Sequence, residues 1–417
     1  MSEHQATDPS PDRLVAIVVN YQSGWFAEAC VASLLFQWEQ EGRAREDLEI
    51  LVVENASPTD QSAHMERIET AGVRVLRSEE NLGYARGMNY GYEHATWPED
   101  GKRPFVAMLN PDLVFLEGSI GPMLDYLAQH PDVGLVTPRA HIDFAQVVHL
   151  PRNSTPTPID ALRLNLAHRF AWAGRRYAAR RLALSIPWME SEDPIETVEL
   201  SGACMVLPRR VVEDLGYLLD PRYPLYFEDT DLFLTLRQKG LRTVHLPAAS
   251  VLHHWSRSAG VDSDFAGVPA QRYAISHRLY FEKFHGKFGV WFATRMNALG
   301  ARWAQRGVKP LYEISELEQP EEPPTLTWDR ERRVVLEIGL TPNWLIAAGV
   351  LAEGSSFRFP EEAWEWLFQG VYYIRVVDRD SRETVGAWRV IKSDLARDRP
   401  VTVEELAARA GEASHVG

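Results

Sequence analysis

Only two cysteines, Cys30 and Cys204, occur in 417 residues. That excludes a disulfide framework and a cysteine-rich zinc site, and it fits a reduced cytosolic setting. Long hydrophobic runs are missing too: the longest, about Trp344 to Ala352, falls well short of the roughly 18–20 residues that cross a bilayer. The chain is not expected to span a membrane. Residues 1–12 are polar and lack an apolar centre, which reads as a flexible leader and not a signal peptide. Positive charge is in deficit, with 44 Lys and Arg against 58 Asp and Glu for a net −14, so general nucleic-acid binding is disfavoured. The H-E-x-x-H, G-x-S-x-G and P-loop patterns are all absent, which demotes metalloprotease, α/β-hydrolase and Walker-type NTPase chemistry.

What is present is an alternation. Leu14 to Val19, Leu48 to Val53, Val73 to Leu76 and Phe105 to Leu109 are short β-branched runs that read as buried strands. Stretches with helical spacing, Trp25 to Trp38, Asp60 to Glu69 and Tyr84 to Ala95, separate them. Strand, helix, strand in alternation implies a parallel α/β sheet, whose ligands lie beyond the carboxyl ends of the strands. Those ends carry Asn20-Tyr21-Gln22, Glu54-Asn55-Ala56-Ser57, Asn81 to Asn89 and Asn110-Pro111-Asp112. A nicotinamide dehydrogenase is disfavoured, because strand one runs into Asn20-Tyr21-Gln22-Ser23 and not into G-x-G-x-x-G.

Further along, Thr197 to Leu207 reads as a strand carrying a Ser201-Gly202-Ala203 step, Asp229 to Lys239 as a helix, and Arg242 to Leu246 as a strand leading to His253-His254. Residues 313–324 are acidic and proline-rich, a linker composition. Beyond it, Arg333 to Ile338, Gly370 to Val377 and Thr384 to Ile391 alternate like strands, so 325–417 reads as a small β-rich accessory domain ending in a short helix and loose tail.

Each chemical signal has two readings. Asn110-Pro111-Asp112 is a turn, or it offers a carboxylate to a divalent cation that bridges phosphates. Glu228, Asp229 and Asp231 complement a helix dipole, or include a general base. The glycines around Asn81 to Asn89 let backbone approach a phosphate at a helix start. His253 is a structural residue or a metal ligand. Residues 161–189 hold six arginines (Arg163, Arg169, Arg175, Arg176, Arg180, Arg181) and no acid among aromatics, and 272–306 is a second basic, aromatic stretch. Both match helices lying on anionic lipid, or the first folds over the site and pairs with acids.

Taken in order, these segments resemble the family 2 glycosyltransferases of GT-A fold, and most of all their bacterial rhamnosyltransferase-like branch. The likeness covers about Leu14 to Gly289. It implies a Rossmann-like, mostly parallel α/β sheet flanked by helices over 13–312, followed by the β-rich domain. It also implies an inverting hexosyltransferase that moves a rhamnose-like sugar from a dTDP- or UDP-linked donor to a hydroxyl of a glycan or polyprenyl-diphosphate-linked acceptor in cell-surface polysaccharide synthesis. By resemblance, Tyr21 and Glu54 hold base and ribose, Asn55 and Ser57 shape that pocket, and Asn81, Gly83 and Arg86 lie by base and diphosphate. Asn110 and Gly202 complete the donor site, Asp112 and His253 ligate Mg²⁺ or Mn²⁺, and Asp229 is the base, with Glu228 and Asp231 orienting the acceptor or the helix. The broader family has Asp-x-Asp where this chain has Asn110-Pro111-Asp112, and many relatives have Asp in place of Glu54. The expected setting is cytoplasmic with peripheral contact at the inner membrane face, without nucleic acid and with self-association open. Competing readings are a sugar-1-phosphate nucleotidyltransferase, disfavoured by the absence of Lys or Arg in 20–26, and a non-catalytic nucleotide-sugar or glycan-binding scaffold.

Overall fold

The β-branched runs form the strands expected of them, seen in a computed structural model that describes residues 12–97, 99–254, 268–304, 310–317, 322–367, 369–393, 402 and 405. The leader before residue 12 and the helix and tail expected after Leu395 lie outside these, apart from two single positions. Among the described residues no helix is long and apolar enough to cross a membrane. The chain divides into two units, each discontinuous in sequence: residues 1–139, 193–277 and 399–417, and residues 140–192 and 278–398.

The first unit is built as β1 (Asp12–Asn20), α1 (Gly24–Gln40), β2 (Leu48–Glu54), α2 (Ser62–Thr70), β3 (Arg74–Arg77), α3 (Tyr84–Glu93), β4 (Arg103–Leu109), β5 (Leu113–Phe115), α4 (Gly121–Gln129) and β6 (Val133–His141). Strands β3, β2, β1 and β4 pair side by side and parallel. Leu14 to Val19 are all buried, as strands covered on both faces must be. Helix α3 lies close over β1 through two glycines: a Cβ on Gly87 would come 3.1 Å from Val19, and one on Gly91 2.5 Å from Ile17. The later chain, after α5 (Pro158–Arg169) and α6 (Ala171–Glu190), adds β7 (Ile195–Glu196), β8 (Cys204–Pro208), α7 (Arg209–Leu215), α8 (Glu228–Gln238) and β9 (Arg242–His253).

Beyond β4 the parallel pattern stops. Strand β8 runs antiparallel to β4 and to β6, and β5 and β7 run antiparallel to β9. The sheet order is β3-β2-β1-β4-β8-β6-β9-β5, so the expectation of a mostly parallel sheet is corrected to a mixed one. Ser201-Gly202-Ala203 precedes β8 as a turn and is not inside a strand. Strand β9 outruns its sequence reading, continuing past Pro247 from its pairing with β7 at Val244–His245 to its pairing with β5 at Val251–His253.

The second unit holds α5, α6, the later part of α9 (Val268–Ala304), β10 (Ser315–Glu316), β11 (Thr325–Gly339), β12 (Ala348–Arg358), α10 (Glu361–Trp366), β13 (Gly370–Asp378) and β14 (Thr384–Lys392). Its five strands order as β10-β14-β13-β11-β12. Helix α6 packs on this sheet: Leu182, Ile186 and Met189 meet Val335 and Val377, and Ala178 meets Trp344 and Ala387. His149 and Gly349 exchange two backbone hydrogen bonds of 2.8 and 3.0 Å. Arg181 of α6 and Arg375 of β13 both pair with the buried Glu337 of β11. The arginine-rich helices thus belong with the C-terminal β sheet, whereas the linear reading placed them inside a 13–312 domain.

Candidate active site

Every residue singled out for donor, metal or acceptor chemistry falls in the first unit. At the end of β1, fully buried Asn20 takes Ser23 N–H (3.2 Å) and Ser23 Oγ–H (2.9 Å) on its Oδ1 and donates its Nδ2 to a Glu54 carboxylate oxygen. The other Glu54 oxygen accepts Ser57 N–H at 2.8 Å, and Ser57 Oγ accepts Gln22 N–H at 2.9 Å. These bonds stitch the loops after β1 and β2 together and hold two left-handed residues, Gln22 and Ala56. Tyr21 stands exposed at the rim. Glu54 keeps lone pairs for a ligand, since a carboxylate offers about four acceptor sites.

The loop after β3 is held from the same side. Asn55 Oδ1 accepts Leu82 N–H at 2.8 Å, and Asn81 Oδ1 accepts Gly83 N–H at 2.9 Å. Gly83 caps α3 at φ 77, and a Cβ there would come 3.0 Å from the Pro224 carbonyl oxygen, so only glycine fits. Arg86 turns to Glu80 at 3.2 Å on the surface.

The β5–β9 pairing places His253 opposite Leu113. It thereby brings His253 Nε2 to 3.4 Å from Asp112 Oδ1, with both side chains buried. His254 N–H binds the Asp112 carbonyl at 3.0 Å, and Asn110 N–H binds the Ala203 carbonyl at 2.8 Å, which ties the turn before β8 to the end of β4. Among the described residues no group of three or more His, Cys, Asp or Glu is arranged to hold a metal ion. Both cysteines are buried, and burial pushes the Cys204 thiol up to about 12, so neither is a nucleophile.

Helix α8 starts from two consecutive left-handed residues, Tyr226 (φ 63) and Phe227 (φ 69), a conformation that non-glycine residues adopt sparingly. This turn delivers Glu228 and Asp229 as the first two helical residues. Burial, and then the charge of Asp229, push the Glu228 carboxyl up to about 8. Asp229 is also raised by burial, but Thr230 N–H (2.6 Å) and Thr230 Oγ–H (3.2 Å) favour its charged form. Asp231 looks the other way, accepting Tyr223 O–H at 2.8 Å and Thr235 Oγ–H at 3.4 Å inside the protein. It anchors the helix.

One site residue was not singled out in the sequence. The Tyr84 hydroxyl, on the first residue of α3, is buried without a hydrogen-bond partner among the described residues. Burial, followed by the charges of Glu228, Asp229, Cys204 and Asp112, raises it well above the usual phenol range. It is thus a neutral donor set among the site's acids. Its only sequence signal is an aromatic hydroxyl at a helix start beside a strand end.

Residues 8–184 match the model of glycosyl transferase family 2. The chain is similar to the N-acetylglucosaminyl-diphospho-decaprenol L-rhamnosyltransferase of Mycobacterium tuberculosis, 27% identical over 308 residues that cover 71% of this chain and 90% of that one. It is also similar to the low-salt glycan biosynthesis hexosyltransferase of Haloferax volcanii, 22% identical over 66% of this chain and 75% of that one. Among solved structures, the mannosyltransferase of Pyrobaculum calidifontis in complex with GDP-Man and Mn²⁺ is similar at a TM-score of 0.39 and 17% identity, covering 71% of this chain and 77% of that one. Residues 8–184 thus carry the match to glycosyl transferase family 2, and the chains this one is similar to are named as glycosyltransferases.

Proposed function

We propose that the chain transfers a rhamnose-like sugar, with inversion, from a nucleoside-diphosphate donor to a hydroxyl of a lipid-diphosphate-linked glycan. The observation that carries this reading is the Glu228–Asp229 pair, two adjacent acids that the left-handed turn at Tyr226 and Phe227 sets at the start of α8, at the ligand edge of the sheet. Asp229 accepts the proton of the acceptor hydroxyl as that oxygen attacks the anomeric carbon from the face opposite the leaving diphosphate. Donor base and ribose rest on Tyr21, Glu54, Asn55 and Ser57. Asn81, Gly83, Asn110 and Gly202 line the way to the diphosphate, and Arg86 reaches it only by leaving Glu80.

A divalent cation fits Asp112 and His253, because a carboxylate oxygen and an imidazole nitrogen 3.4 Å apart are suitable donors and Mg²⁺ or Mn²⁺ completes its shell with substrate phosphates and water. When bound, it neutralises charge growing on the leaving diphosphate. The rhamnose-like sugar and the lipid-linked acceptor rest on the mycobacterial relative, whose name states both. The match over residues 8–184 favours a transferase over a nucleotidyltransferase, and turnover in the test below separates transfer from the scaffold reading.

The test is a panel of dTDP- and UDP-sugars with a lipid-diphosphate-linked N-acetylglucosamine acceptor, the product being read by proton NMR. A deoxyhexose joined with inverted anomeric configuration is expected. Retention of configuration, or no transfer from any donor, contradicts the reading.

A further inference from the structure

Helix α6 has two opposite stripes. Its buried stripe, Ala178, Leu182, Ile186 and Met189, packs on the second unit's sheet. Four-residue spacing puts Trp172, Arg176, Arg180 and Leu184 on the other side, and all four are exposed, Trp172 by 65%. After the break at Gly286, α9 repeats the pattern: Phe288, Trp291, Arg295 and Arg302 recur at spacings of three, four and seven, with Phe288 71% exposed. The rings of Phe288 and Trp291 lie 5.7 Å apart, and Arg295 covers Trp291 at 5.5 Å. Phe170, beside the start of α6, touches both Trp172 and Trp303 at 6.4 Å, so the two stripes meet at one end.

The charge of this face opposes that of the chain. Arg181 is spent on Glu337, Arg175 on the Leu311 carbonyl and Arg163 on Asp160. Among the described residues Arg176, Arg180, Lys287, Arg295 and Arg302 have no acidic partner, although the protein as a whole carries −14. Acids are thus withheld from these cations. Exposed Trp and Phe beside unpaired Arg and Lys is the composition of a helix lying in a bilayer interface, with rings at headgroup depth and cations on anionic headgroups.

We propose that the outer stripes of α6 and of α9 after Gly286 bind the surface of a bilayer containing anionic lipid. The inference goes beyond the transfer reading, since it uses none of the site residues and holds whichever sugar is moved.

The test is co-sedimentation of the full chain with phosphatidylcholine–phosphatidylglycerol vesicles and with phosphatidylcholine vesicles alone, at low and high salt. The chain should pellet with the anionic vesicles at low salt and be released by high salt. Arg176→Gln with Arg180→Gln should lower partitioning roughly 30-fold, at about 1 kcal/mol per cation. Trp172→Ala with Trp291→Ala should weaken binding to the anionic vesicles at low salt, although it removes no charge. Both variants should melt like the wild type and transfer equally to a soluble acceptor analogue, which separates loss of docking from loss of catalysis. Wild-type failure to pellet at low salt, variants that pellet like the wild type, or equal binding to duplex DNA overturns the proposal.

Discussion

Gly202 lies directly against Asp229: a methyl group built on its α-carbon would come within 2.5 Å of Asp229 Oδ2 and 2.7 Å of its Cβ. Glycine before β8 is therefore a condition for where the proposed base sits. Gly202→Ala should push the carboxylate aside while leaving the sheet intact. Transfer should fall about 10²-fold, the scale of a 1 Å misplacement, with the melting temperature close to wild type. Steady-state kinetics and a thermal melt check both halves.

Asp112→Ala and His253→Ala should act as one unit, because their side chains face each other across the β5–β9 pairing. Each should weaken nucleoside-diphosphate binding in the presence of Mn²⁺ and leave the metal-free affinity unchanged. Calorimetry with and without Mn²⁺ measures this directly. Metal-independent donor affinity in the wild type would show that the two residues serve another purpose.

Glu228 sets a pH dependence whose sign is fixed. Its carboxyl is raised from 4.5 to about 8 on folding, so its stabilising contribution is complete below pH 4.5 and is lost as pH rises through about 8. Wild type should therefore lose roughly a few kcal/mol between pH 5 and 8.5 through this group, and Glu228→Gln should lose much less. Urea denaturation at both pH values tests it.

Tyr84→Phe removes a buried hydroxyl that has no partner among the described residues. An unpaired buried hydroxyl costs about 1–3 kcal/mol, so the variant should be as stable as wild type or more so. If the hydroxyl serves the substrate, transfer should nonetheless fall about tenfold, one hydrogen bond's worth. Equal or higher stability with lower turnover is the expected pair of results.

Much of this site is legible in the sequence because it sits at strand ends, where short β-branched runs stop at polar residues: Asn20, Glu54, Asn81 and Asn110 are all found this way. What escapes is whatever depends on distant pairing. The approach of His253 to Asp112 is reached only through the family resemblance and not from local pattern, because it needs β5, which is three residues long and without a periodic signal. The assignment of α6 to the C-terminal sheet depends on Glu337 meeting Arg181 and Arg375, a buried contact with no local trace. Asp231 looks like its acidic neighbours in sequence and differs only because Tyr223 binds it from beneath.

The central claim is that Asp229 is the base, and Asp229→Asn isolates it, because the amide keeps the shape and loses the proton acceptor. Single-turnover transfer should fall by about 10²–10⁴ while the dissociation constant for the donor stays at its wild-type value. Transfer at the wild-type rate by this variant would contradict the account.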